Sequence, residues 1–184
     1  AVAALLDHAA PQIRATALEA LAELGAVDHN AAVAARLADE HRSVRQAALR
    51  ALQDLDAVDQ APAVAALLDH AAPQIRATAL KALAALGAVD HTAAVAARLD
   101  DEDRSVRLAA LRALGDLDAV ERAPAIARRL TEESCDVRVA AIAALGALDA
   151  RDHIDAISQQ LGESGCMKDP ETRAVALGVL GDLG

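Results

Sequence analysis

The chain contains no phenylalanine, tyrosine or tryptophan in its 184 residues. Aromatic rings normally dominate cores and binding hot spots, so this core must be built from Leu, Ile, Val and Ala. Abundant Ala lets helices approach near the lower end of the usual spacing of about 8 to 10 Å. Cysteine is nearly missing too. Cys135 and Cys166 stand alone, without metal-like spacing, which reads as two unrelated thiols in a reducing intracellular compartment, with a Cys135–Cys166 pair as the alternative, and not as a disulfide framework. No run approaches the roughly 18 apolar residues of a membrane helix, and no basic start precedes an apolar run as in a signal peptide. Basic residues are in deficit, 18 against 28 acidic, for a net charge of -10. That field repels phosphate backbones and anionic lipid, so neither nucleic acid nor direct membrane insertion is expected. What remains is 54% hydrophobic and 25% charged, the balance of a chain that folds.

The dominant signal is self-similarity. AVAALLDHAAPQIRATAL begins at Ala1 and returns at Ala63, a shift of 62 residues. At half that distance a weaker match recurs, anchored by an Arg after a β-branched residue: Ile13-Arg14, Val44-Arg45, Ile75-Arg76, Val106-Arg107 and Val137-Arg138, each 31 residues after the last. A sixth copy ends in Thr172-Arg173 after a four-residue insertion within GESGCMKDPE, where small and polar residues mark a loop.

Each copy reads as two helices. The first is short, as in AAVAARL from Ala31, with Asn30 or Thr92 placed to cap it, or Pro62 or Pro124 in its first turn, where a missing N–H costs nothing. The second opens at Pro11 or Pro73 and closes near Gly25 or Gly87. Within it Ile13, Ala17, Leu21 and Leu24 form an expected buried stripe. One hairpin cannot bury its apolar side alone, so neighbours must stack. The expectation is an all-α fold, an α-α superhelix: a right-handed α-solenoid of about six hairpins in a single array over residues 1–184. Its units fall at about 1–28, 29–59, 60–90, 91–121, 122–152 and 153–184.

The pattern VRxAALxALGxL, standing here as VRLAALRALGDL from Val106 and VRVAAIAALGAL from Val137, resembles the PBS-lyase type of HEAT-like repeat. The resemblance covers the whole chain. It implies a scaffold, an adaptor or, as an alternative, an accessory subunit of a phycobilin chromophore lyase. It also implies that the recurring arginines Arg14, Arg45, Arg76, Arg107, Arg138 and Arg173 form a structural ladder, with Asp28, Asp59, Asp90, Glu121 and Asp152 as candidate acceptors.

Chemistry finds little to stand on. His8 and His70, like His29 and His91, are a double repeat apart and cannot share a metal; Ser43 and Ser105 lack a His in a triad-like frame. No catalytic, metal or cofactor residue is assigned, and a non-enzyme is expected. The informative positions are those that change while the frame does not. One exposed column reads Ala15, Gln46, Ala77, Leu108, Val139, Ala174, and four residues on it reads Glu19, Arg50, Lys81, Arg112, Ala143, Gly178. Spacings of i and i+4 put both on one helix face. Gln46, Arg50, Lys81, Leu108, Arg112 and Val139 are therefore the expected contacts for a protein partner. Apolar end helices without a polar cap lead us to expect a segment of a longer chain or one covered by neighbours in a larger complex.

Overall fold

The computed structural model describes residues 2–163 and 169–184. They form two compact units, Ala1–His91 and Thr92–Gly184. In the first, a 3-10 turn (Val2–Asp7) precedes α1 (Pro11–Glu23), α2 (Asn30–Ala35), α3 (Arg42–Asp54), α4 (Ala61–Ala66) and α5 (Pro73–Ala85). The second comprises α6 (Thr92–Ala97), α7 (Arg104–Asp116), α8 (Ala123–Ala127), α9 (Cys135–Ala147), α10 (Ile154–Glu163) and α11 (Pro170–Leu183). There is no β-strand among the described residues, and no helix long and apolar enough to cross a membrane.

Short and long helices alternate as the 31-residue register requires, and each short one pairs with the long one that follows. In the first unit α1 packs on α3 and α3 on α5; in the second, α7 packs on α9 and α9 on α11. The repeating interface is aliphatic. Val44, Ala48, Leu52 and Val64 are fully buried in the first unit, and Val106, Ala110, Leu114 and Ile126 occupy the matching places in the second. Burying a Val or Leu contributes about 1.5 to 3 kcal/mol, so within each unit neighbouring hairpins stabilise one another through this aliphatic contact.

Every long helix from α1 to α9 ends in the same reversal. The residue just past it takes a left-handed φ: Gly25 and Gly87 at 59°, Asp56, Asp118 and Asp149 at 47° to 51°. The following N–H then reaches back five residues, as from Ala57 to the Leu52 carbonyl, which ties off the helix and turns the chain toward the next hairpin.

Three expectations need correction. Ile13 and Leu24 do not belong to a buried stripe: Leu24 is 69% exposed, while its counterparts Leu55 and Leu86 are 7% and 6% exposed. Those counterparts lie under a preceding long helix, and α1 has none among the described residues. Asn30 does not cap α2. Its own backbone is helical, at φ −49° and ψ −44°, and its buried side chain donates to Asp59. Thr92 likewise donates to Glu121 Oε1, at 3.1 Å.

Candidate functional site

The long helices present two kinds of arginine, and their partners separate frame from surface. The first kind sits at the fourth helical position. In five hairpins its Nη1 donates into the loop just before its own helix: Arg14 to the His8 and Ala9 carbonyls, Arg45 to those of Asp39 and Glu40, Arg76 to those of His70 and Ala71, Arg107 to those of Asp101 and Glu102, and Arg138 to that of Glu132. Arg14 and Arg107 also bridge to the next hairpin. Arg14 holds Asp39, and Arg107 Nε donates to Glu132 Oε1 at 2.6 Å. Arg173 is exposed, and its side chain makes no hydrogen bond or ion pair among the described residues.

The carboxylates that meet Arg14 and Arg107 are not the ones the sequence suggested. The ladder position lies near the N-terminus of its helix, beside the loop that opens the next long helix, whereas Asp28 and Glu121 follow the opposite end. Two of that acidic column, Asp59 and Glu121, instead accept from Asn30 and Thr92. Histidines serve the same loops. Nδ1 of His8 and of His70 accepts the N–H two residues on, as Oδ1 of Asp39 does from His41. That is turn chemistry. Among the described residues no cluster of three or more His, Cys, Asp or Glu is arranged to hold a metal.

The second kind of basic residue faces outward. Arg50 and Lys81, on α3 and α5, and Arg112, on α7, are exposed, and none makes an ion pair among the described residues. Gln46 is exposed beside Arg50 in the first unit. In the second unit Leu108, Arg112 and Val139 line one hollow of about 670 Å³ formed by α7, α9 and α11. Leu111, Ala140, Ala143, Ala144, Ala147 and Val175 add to its apolar surface, and Asp116, Cys135, Asp136 and Thr172 form its polar margin. At one end Arg104 Nε donates to Asp136 at 2.8 Å. Burial raises the Asp136 carboxyl, but hydrogen bonds from Arg104 and Ser134, the Arg104 charge and the Val137 N–H outweigh it and hold it below its ordinary value.

Cys135 opens α9 on this margin and is disulfide-bonded, which corrects its reading as an unrelated thiol. Cys166 lies outside the described residues, as do the other residues of 164–168 within the stretch that holds the insertion.

The family model of HEAT repeats matches residues 1–74 and 61–134. No curated protein matches the sequence. Among solved structures, an engineered protein superposes with a TM-score of 0.64 at 19% identity, covering 99% of this chain and 94% of its own. The complex of CpcE and CpcF of phycocyanin lyase from Nostoc sp. PCC7120 gives 0.65 at 24% identity, covering 98% and 74%. A designed armadillo repeat protein in complex with the peptide (KR)4 gives 0.61 at 16%, covering 100% and 98%. At such identities the likeness is one of fold, an α-solenoid of stacked hairpins. Since the repeat model spans well over half of the sequence and the hairpins recur in the same register, the chain belongs to the family of HEAT-repeat proteins.

Proposed function

We propose that the chain is a non-catalytic protein-interaction scaffold, or a structural subunit of a larger assembly, that binds through the outer face of its long helices. One observation carries the reading: the frame arginines are consumed by loops and neighbouring hairpins, while Arg50, Lys81 and Arg112 are exposed without an ion pair among the described residues, Arg50 one turn from Gln46 and Arg112 one turn from Leu108. A fold of this kind is typical of interaction scaffolds, and unpaired charge next to apolar surface is what a partner reads for register and specificity.

Affinity capture tests this with the whole chain as bait, alongside a Leu108→Ala, Arg112→Ala pair and an Arg50→Glu, Lys81→Glu pair. Partners retained by the native chain should be lost with at least one pair while the melting temperature holds. Capture unchanged with both pairs removes the reading.

A second reading, an accessory role in bilin attachment, is favoured by the fold likeness to the phycocyanin lyase complex. Against it, the hollow has no aromatic wall on which a flat chromophore would stack. A shift of the visible band on mixing the chain with a bilin and an acceptor protein would support it.

A further inference from the structure

The outward column of α9 differs from that of every other long helix. At four-residue steps it reads Gln46, Arg50, Asp54 on α3, Leu108, Arg112, Asp116 on α7, and Val139, Ala143, Ala147 on α9. Only α9 carries no charge there. Its small side chains make the apolar floor of the hollow, and α7 and α11 pack on either side as walls. On the α7 wall Arg112 and Asp116 sit one helical turn apart, both exposed and neither in an ion pair among the described residues. The opposite end is already neutralised, since Arg104 engages Asp136.

We propose that this groove receives an amphipathic helix of a partner protein, its large apolar side chains seated over Val139 and Ala143, an acidic residue facing Arg112 and a basic one facing Asp116. The proposal rests on the interaction reading above and adds the partner's chemistry. The floor from Val139 to Ala147 rises about 12 Å, roughly two helical turns, which matches apolar anchors spaced i, i+3 or i+4. Ala143 and Ala147 are open to solvent, so an occupant keeps one side in water. That suits an amphipathic segment better than a small molecule, which sites of that class bury to roughly 70–90%. Wall charges one turn apart match an acid and a base one turn apart on a helix lying alongside.

The test pans a phage library of amphipathic helical peptides of about 16 residues, with polar positions randomised, against the whole chain and against its Arg112→Glu and Ala143→Arg variants. Both substitutions are at exposed positions, and circular dichroism melts verify that each variant is folded. Peptides enriched on the native chain should carry Asp or Glu about one turn from Lys or Arg. Panning on Arg112→Glu should exchange that acid for a base, and a labelled native-selected peptide should bind Ala143→Arg at least about tenfold more weakly in anisotropy.

Absence of enrichment, or enrichment indifferent to both substitutions, overturns the proposal. Stoichiometric binding of dodecanoate that Ala143→Arg abolishes, with no peptide enriched, would make the hollow a small-molecule site and overturn it as well. Peptides lost with Arg50→Glu but kept with Arg112→Glu would overturn this groove while leaving the scaffold reading intact.

Discussion

Arg14 and Asp39 are joined by two parallel hydrogen bonds, Nε to Oδ2 and Nη2 to Oδ1, each 2.8 Å long, across 25 residues of sequence. Their side chains are 7% and 6% exposed, so this pair links two hairpins where water cannot substitute. Removing the acceptor strands a buried guanidinium. Asp39→Ala should lower unfolding free energy by about 1 to 3 kcal/mol in urea titration, against less than about 0.5 kcal/mol for Asp28→Ala, an exposed acid. The pair also gives a pH signature. Burial pushes the Asp39 carboxyl up, but hydrogen bonds from Arg14 and the His41 N–H and the charges of Arg14 and Arg36 hold it below its ordinary 3.8. A depressed folded value means that the contribution is present above the unfolded value and lost as pH falls through the folded one. The native chain should lose more stability than Asp39→Asn as pH drops below about 4; parallel curves would show that the bridge carries no proton linkage.

How much of this was readable depended on range. The 31-residue step fixed the hairpins, the prolines and the turn at Gly25 and Gly87, because each is a local event repeated in place. Contacts between hairpins were harder. The ladder arginines were visible as a column, but choosing Asp39 over Asp28 as acceptor requires knowing which end of a helix meets the next loop. Asn30 suits a cap by type, yet its backbone is already helical and its side chain serves the neighbouring hairpin. Ile13 and Leu24 repeat the buried pattern, but among the described residues no long helix precedes α1 to cover them. For the site, Leu108, Arg112 and Val139 could be placed on one face by spacing, whereas the hollow arises from what α9 lacks, and a column of absent charge gives no motif.

The ladder has a gap that can be filled. Arg45 lacks a partner for its buried Nε, and His70 stands 25 residues on, where Arg14 finds Asp39 and Arg107 finds Glu132. His70 accepts the Ala72 N–H through Nδ1, a task that Asp39 performs equally through a carboxylate oxygen. His70→Asp should therefore keep the turn, supply Arg45 with an acceptor, and raise stability by about 1 to 2 kcal/mol at neutral pH. With Arg45→Met in the background the gain should vanish. A gain that persists there would place its origin elsewhere.

The bridged state of Cys135 is checked by counting thiols. Chain unfolded in guanidinium without reductant should give no reaction with Ellman's reagent, and after reduction it should release two thiols, the full complement of the sequence. Two reactive thiols before reduction, in protein purified under air, would restore the reading from spacing.

Gly115 and Gly146 occupy the same register position one repeat apart, yet their substitution by alanine should act in opposite directions. A Cβ at Gly115 meets Ala147 Cβ at 3.6 Å, an ordinary contact. Gly115→Ala then gains the helical preference of alanine, about 0.8 to 1 kcal/mol. A Cβ at Gly146 falls 2.8 and 2.9 Å from the two methyls of Val179 on α11. With two methyls and three staggered wells, every Val179 rotamer leaves at least one methyl facing the newcomer, so α9 and α11 must separate. Gly146→Ala should cost about 1 to 3 kcal/mol, and Val179→Ala should recover most of that loss in the double variant. The sign of the coupling decides the matter: additive effects in a double-mutant cycle would mean that the two helices do not approach closely at this point.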